Sequence, residues 1–403
     1  MRCEKQVRGS RSMNLRGVLT LIVLALGSVL PGALPAVAAA DETKAGSFDD
    51  RAVQRVAQPP LGLPSLPVPA ANPVTPAKVS LGRDLFFDRR LSRNRTMSCA
   101  MCHLPEQGFT NNEMATPIGV KGASLQRNAP TLYNVAYLLR LFWDVREENL
   151  EQQVLGPLFS PDEMANPSVA FVLETVRAAP EYAGRFEAVF GRPVDLPAVG
   201  AALATYERTL VSGDSPFDRW HFGKDEHAVP DVAKRGFALF TGKAGCVACH
   251  SMDRTHALFT DHAVHNTGVG TAPAAPVRVE VAPGISAAAV VPAGPARPPA
   301  TARDLGRMGI TDNPADLQAF RTPGLRNVAQ TAPYMHDGTL RTLTEVVRFY
   351  AAGGRPNANL DPRMQPLALG EQDVADMVAF LESLTGANIA ELTRDARSTV
   401  MRN

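Results

Sequence analysis

Cys246-Val247-Ala248-Cys249-His250 decides how this chain is read, and it has an earlier counterpart in Cys99-Ala100-Met101-Cys102-His103. In a Cys-x-x-Cys-His run the two thiols form thioethers with a haem, and the histidine ligates the iron from one side. One copy alone is also compatible with a fragment of a zinc site. Two copies in a chain with five cysteines, downstream of an export signal, point to an exported protein with two c-type haems.

That export signal is Met1 to Ala40. Arg2, Lys5, Arg8, Arg11 and Arg16 precede or flank an apolar run, Val18 to Leu30, and Ala38-Ala39-Ala40 supplies small residues before Asp41. The run is shorter than the roughly 20 apolar residues of a membrane span, although an uncleaved anchor remains an alternative. Met13 is a second possible start, which would leave Cys3 outside the protein. All four remaining cysteines then sit in the two haem motifs, so no disulfide is expected despite an oxidising compartment. Covalent haem attachment after export fits a bacterial periplasm.

The 403 residues suffice for two ordinary domains, and 45% hydrophobic with 20% charged residues describe a core-forming chain. Formal net charge is +1; without the leader's five basic residues and Glu4, 36 basic side chains face 39 acidic ones. That balance excludes an electrostatic case for nucleic acid.

The sequence predicts a mainly α protein, with two cytochrome c-like helical domains packed together, each binding one covalent haem c. After the signal peptide (1–40) comes a proline-rich N-terminal arm (41–76), extended from Ala57 to Pro76. The first haem domain covers 77–227 and the second 228–390, with an irregular loop at about 271–301 and a C-terminal tail at 391–403. Thr75 and Pro76 form a helix start, a capping hydroxyl before a proline at the first helical position. Each haem motif is prefaced by Gly-x-x-Leu-Phe, at Gly82 to Phe86 and again at Gly236 to Phe240. Each is followed, much later, by an amphipathic helix: Leu196, Val199, Leu203, Tyr206 and Leu210, then Val374, Met377, Val378, Leu381 and Leu384. A helix before each motif and another closing the domain make one plan used twice.

Further motifs extend the pattern. Leu85-Phe86-Phe87-Asp88 and Leu91-Ser92 precede the first haem run, and Arg127 to Thr131, Phe142-Trp143-Asp144 and Gln153 through Glu163-Met164 follow it. Ser215 to Asp218, Thr322 to Asn327 and Pro333-Tyr334-Met335-His336-Asp337-Gly338 complete the order. From about Leu81 to Leu384 the chain resembles the bacterial di-haem cytochrome c peroxidases and their relative MauG. The resemblance implies that the first haem reacts with hydrogen peroxide. Glu163 matches the family's distal acid, moving a proton between the peroxide oxygens, and Gln153 matches its distal glutamine, with adjacent Gln152 as the alternative. Trp143 matches the tryptophan between the haems, and Trp220 is assigned to packing. Asn128, Thr331 and Pro333 match the oxygen donors of a calcium ion. His336 matches a histidine near the second haem, and His262 and His265 lie in a stretch that also resembles MauG; their roles are undecided, with hydrogen bonds to propionates the simplest explanation.

Two positions divide the family's members. Peroxidases often carry a loop histidine that occupies the first iron until the second is reduced. The matching loop here is Pro117 to Gly122, with Val120, and no histidine lies between His103 and His221. The resemblance therefore implies a first haem open in the oxidised protein. Aligned on Pro333 to His336, Tyr350 falls where the classical peroxidases place a methionine and MauG a tyrosine. A hard phenolate favours oxidised iron; Met335, Met364 and Met308 are the alternative ligands. The family's Phe-Trp-Asp-Gly-Arg reads Phe142-Trp143-Asp144-Val145-Arg146 here, and because valine takes a left-handed conformation only with strain, the turn beside Trp143 is expected to differ.

The leading expectation is a periplasmic enzyme in which peroxide drives both haems to Fe(IV). Those equivalents are then drawn from aromatic residues, tryptophan above all, of a partner protein. That partner is an amine dehydrogenase precursor or a metal-binding protein, the latter slightly preferred. The alternatives are a peroxidase fed by a small cytochrome or copper protein, and a fully ligated electron-transfer or sensing protein.

Overall fold

The computed structural model describes residues 47–270, 277–282, 285–289 and 304–398; the expected signal segment lies outside them. Ser47 caps the first helix, α1 (Phe48–Ala57), accepting from the Asp50 amide while the Asp50 carboxylate reaches back to the Ser47 N–H. Residues 58–75 then run without regular structure to α2 (Pro76–Phe87), which begins as the sequence predicts, with Thr75 Oγ1 accepting from the Lys78 N–H.

Short helix α3 (Leu150–Gln153) leads towards α4 (Leu196–Arg208), which lies across α2. The contact is close because Gly82 has no side chain: a Cβ there would lie 1.9 Å from the Ala202 carbonyl oxygen. After α5 (Pro216–His221) the arrangement repeats. Helix α6 (Asp231–Thr241) packs on α8 (Glu371–Glu382), with α7 (Leu343–Ala351) against α8, and a Cβ on Gly236 would again meet a carbonyl oxygen, that of Asp376, at 1.9 Å. The shared Gly-x-x-Leu-Phe preface is thus a helix-crossing signature.

Among the described residues two large apolar clusters result, with a small third around Val135, Leu141, Leu150 and Ala204. Leu81, Leu85, Phe86, Phe109, Leu158 and Leu203 are among the first, and Phe217, Phe240, Phe259, Phe380 and Leu384 among the second. Each large apolar side chain buried there contributes about 1.5–3 kcal/mol relative to exposure. Arg326 ties distant segments together: its guanidinium bonds both carboxylate oxygens of Asp218 at 2.8 and 2.9 Å, and also the carbonyls of Gly62 and Ala257.

Three expectations are corrected. The arm at 41–76 is more than a proline-rich arm, because α1 precedes its extended stretch and Arg55 in α1 pairs with Glu391 and Asp395. The segment read as a C-terminal tail forms α9 (Ile389–Arg397), whose Leu392 and Ala396 enter the first cluster. Its apolar positions, Ile389, Leu392 and Ala396, recur at helical spacing but are too few to stand out without their partner. Within the loop at 271–301, β2 (Val277–Ala282) and β3 (Ile285–Ala289) form an antiparallel hairpin. Alternating Val277, Val279 and Val281 before Pro283-Gly284 are a hairpin signal that the Ala-Pro composition obscured. The only other strands among the described residues are the two-residue pair β1 (Val264–His265) and β4 (Phe320–Arg321), so the fold is mainly helical. Among the described residues no helix is long and apolar enough to cross a membrane.

Candidate active site

Both Cys-x-x-Cys-His runs adopt one turn of helix that brings their cysteines to one side, at Cys99–Cys102 and Cys246–Ala248. The four cysteines are free, with no disulfide. Burial raises the proton affinity of each thiol, Cys102 to about 12 and Cys246 to about 11. The histidines are held alike: His103 Nδ1 lies 3.0 Å from the Phe109 carbonyl oxygen, and His250 Nδ1 lies 2.9 Å from that of Phe259. Burial lowers the pKa of both rings. A neutral imidazole donating Nδ1–H to a carbonyl presents a bare Nε2, the form that binds iron.

Around the second motif is a cavity of 300 Å³, lined by Cys246, Cys249, His250, Trp143, Tyr350 and Arg321 among others. Its walls fit a haem. Arg321 was not singled out from the sequence and carries much of that fit: it is 5% exposed, burial lowers its pKa to about 10, and its hydrogen bonds go to the carbonyls of Phe142 and Thr322. A buried guanidinium paired with no carboxylate among the described residues suits an anionic propionate. No charge run marks Arg321 in the sequence; its position in β4 beside Trp143 does.

Of the four candidate ligands opposite His250, Tyr350, Met335 and Met364 line this cavity, and Met308 is not among the lining residues. Tyr350 sits in α7, and its phenol pKa is raised, first by burial and then by the nearby sulfurs of Cys246 and Cys249. His336, buried, stacks on Phe320 at 3.5 Å. The His265 ring lies between Asp261 and Asp361, at 2.8 and 2.7 Å, and His262 Nδ1 is 3.5 Å from the Leu139 N–H.

On the first motif's side, burial raises the pKa of the Glu163 carboxyl above the ordinary 4.5, partly opposed by a Ser160 hydrogen bond and by Arg146. After burial, its charge also raises the Cys102 thiol of the first haem motif and, more weakly, that of Cys99. The loop carrying Val120 lies on the same segment, the Val120 N–H donating to the Glu163 carbonyl at 2.9 Å. Gln153 ends α3 half-buried, whereas Gln152 is exposed and bonded to Asn149. Helix α3 is fixed to α4 by Arg208, whose guanidinium meets Glu151 at 2.7 and 2.9 Å.

Trp143 lies on the wall of the cavity around the second motif, its Nε1–H donating to the Asn128 carbonyl at 2.9 Å. The expectation that Val145 would alter this turn is overturned, since Val145 takes the left-handed conformation with φ 52°. Burial of its side chain and two hydrogen bonds from Arg307, to the carbonyls of Asp144 and Val145, hold it there. The Asn128 amide reaches the Pro333 carbonyl at 2.6 Å, and its Oδ1 is buried without a hydrogen-bond partner. Amide oxygen and nitrogen are interchangeable assignments, and two oxygens converging there, with Thr331 on the same cavity wall, suit a hard cation.

Comparison with known proteins agrees with this geometry. A family model described as "Di-haem cytochrome c peroxidase" matches residues 76–226. The chain is 42% identical over 324 residues to the methylamine utilization protein MauG of Methylorubrum extorquens, covering 79% of this chain and 81% of that one. It is 41% identical to the cytochrome-c peroxidase IdrP1 of Denitromonas iodatirespirans, covering 81% and 86% respectively. Among solved structures, a MauG-like protein associated with microbial copper homeostasis superposes with a TM-score of 0.68 at 32% identity, covering 82% of this chain and 96% of that one.

Proposed function

The chain belongs to the di-haem cytochrome c peroxidase family that includes MauG, and from that premise we propose that it is an exported, periplasmic, MauG-like enzyme that uses hydrogen peroxide to oxidise aromatic residues, tryptophan above all, of a partner protein. It is a peroxide-dependent di-haem oxidoreductase. Cys99, Cys102 and His103 would hold one haem c, and Cys246, Cys249 and His250 the other, in two domains whose boundary would fall near residues 227–228, and Tyr350 would be a further ligand of the second. Asn128, Thr331 and Pro333 would hold calcium. Bound there, the haems supply the two-electron reduction of peroxide and the storage of its oxidising equivalents.

The protein's own residues do the rest. Glu163, desolvated and so a stronger base than a surface carboxylate, accepts a proton from one peroxide oxygen and returns it to the other. The Gln153 amide orients the peroxide. Trp143, fixed by the Asn128 carbonyl, offers an indole between the two sites. Arg321 pairs with a propionate.

The observation that carries this reading is Val120 beside Glu163. The segment that in other family members carries a closing histidine has Val120 here, its main chain bonded to that of Glu163, and a valine cannot ligate iron, which supports peroxide access without prior reduction. The test is to add stoichiometric peroxide to the diferric holoprotein and follow absorption and Mössbauer spectra. Oxidation of both irons above the ferric level supports the reading; no reaction until one haem is reduced overturns it. Tyr350→Met or Tyr350→His should abolish that oxidation with both haems still attached.

Met335 and Met364 on the same cavity wall favour a second reading, a peroxidase drawing electrons from a small cytochrome or copper protein. It predicts a thioether ligand and rapid turnover with reduced cytochrome. For the first reading, partners of two kinds fit: an amine dehydrogenase precursor, and a metal-binding protein such as would accompany the copper-associated structural neighbour.

A further inference from the structure

Trp220 ends a series of packed aromatic rings that begins at the second haem site. His250 is bonded to the Phe259 carbonyl at 2.9 Å; the Phe259 ring centre is 5.5 Å from that of Phe217, and Phe217 is 6.0 Å from Trp220. A second path starts at Phe240 on the cavity wall and reaches Phe380 at 5.0 Å, Phe237 at 5.5 Å and Trp220 at 5.5 Å. Phe217, Phe240, Phe259 and Phe380 are almost wholly buried, so the first path is dry as far as Trp220, and the second as far as Phe237, which is half-buried.

A phenylalanine cluster needs no explanation beyond packing. What packing leaves unexplained is its rim. Trp220 is the most readily oxidised ring of the set, and it is half-buried. Its Nε1–H points to the Glu226 carboxylate, with Oε2 at 3.3 Å, and that side chain is 71% exposed. Lys234 sits over the indole, its ammonium 6.0 Å from the ring centre, and donates to the Glu226 carbonyl at 2.8 Å. An indole loses its N–H proton readily once an electron has left, and a carboxylate is placed to take it. The neighbouring ammonium disfavours a ring cation and so favours that proton loss.

We propose that Trp220 is the one-electron port of the second haem site, the residue through which an aromatic side chain of a partner protein delivers its electrons. The inference rests on the peroxide-driven protein oxidation proposed above. In each pass the oxidised site takes one electron from Trp220, the Nε1–H bond breaks, and the proton moves to Glu226, leaving a neutral indolyl radical. The partner's side chain then gives one electron to that radical, and the proton returns from Glu226. Two passes take two electrons from the partner, whose oxidised side chain releases two protons to solvent, and with two protons taken up the one peroxide is reduced to two waters.

The test treats holoenzyme with stoichiometric peroxide in the absence of any partner. Electron paramagnetic resonance follows the radical, and peptide mass spectrometry locates added oxygen. A tryptophanyl radical, with oxygen gained on Trp220, is expected in the wild type. Trp220→Phe should lose at least about nine-tenths of the radical signal with both haems attached, and Trp220→Tyr should replace it with a tyrosyl signal. In Glu226→Gln the radical should form more slowly, with a larger solvent deuterium effect. Peroxide consumption by the wild type without radical or oxygen at Trp220 overturns this inference alone. Absence of peroxide consumption overturns the underlying reading, and the port with it.

Discussion

The indole N–H of Trp143 is bonded at 2.9 Å to the main-chain carbonyl of Asn128, the residue whose side-chain amide reaches Pro333 at 2.6 Å. One residue thus fixes the ring on the wall of the cavity at the second haem motif with its backbone and faces the candidate cation position with its side chain.

Removing the cation should therefore loosen Trp143. Chelation, or Asn128→Ala, is expected to slow oxidation of the second haem site by at least about tenfold, the lower end for disturbing even an outer partner of a metal centre. Stopped-flow absorption after peroxide addition measures it, and added calcium should restore the rate in the chelated wild type but not in the variant.

Glu163→Gln should lower the rate of reaction with peroxide by about 10²–10⁴-fold, the usual contribution of a positioned acid–base group. The working form is the carboxylate. Because burial raises its pKa, the wild-type rate should fall as pH drops through a value above the ordinary 4.5, and the variant should lose that limb. A rate flat across the same range would show that Glu163 does not transfer the proton.

Glu207, buried in α4 with its Oε2 unpartnered, has its pKa pushed up to about 8 by burial. The folded state therefore holds a proton that the unfolded chain releases near 4.5. The stability tied to this group is fully present below pH 4.5 and is lost as pH rises towards 8. Glu207→Gln should match the wild type at the acidic end and exceed it above pH 8, read from denaturant midpoints of the holoprotein.

The Arg326–Asp218 pair is inside the protein, with side chains 3% and 0% exposed. Asp218→Ala leaves the guanidinium buried without its counter-charge and should cost about 3–5 kcal/mol, again measured by denaturant unfolding. An effect below about 1 kcal/mol, the value of a surface pair, would mean that water reaches Arg326.

What the sequence disclosed follows from how local each signal is. The haem runs are read from covalent spacing, and the α2 cap from two adjacent residues, Thr75 and Pro76. Gly82 and Gly236 mark their helix crossings because they stand in the same place in a repeat. Helix α9 was missed because its apolar stripe is short and its worth depends on Arg55, over three hundred residues away. Val145 was misjudged for a related reason: its own preference opposes the left-handed turn, and Arg307, remote in sequence, holds it there. Arg321 looked like any surface arginine until β4 placed it in the cavity wall. At the active site, residue types were legible and their orientation was not, as with Gln152 and Gln153, which differ only in the side of α3 they occupy.

Helices α1 and α9 join the first apolar cluster from outside the 77–227 segment, held together by Arg55 with Glu391 and Asp395. The first half is therefore not a cassette. A chimaera that exchanged residues 77–227 for a relative's would import an interior shaped to another protein's terminal helices. Residues 47–57 and 389–397 have to travel with it, so recombination between members of this family is constrained to breakpoints that keep three separate stretches of chain in common ancestry.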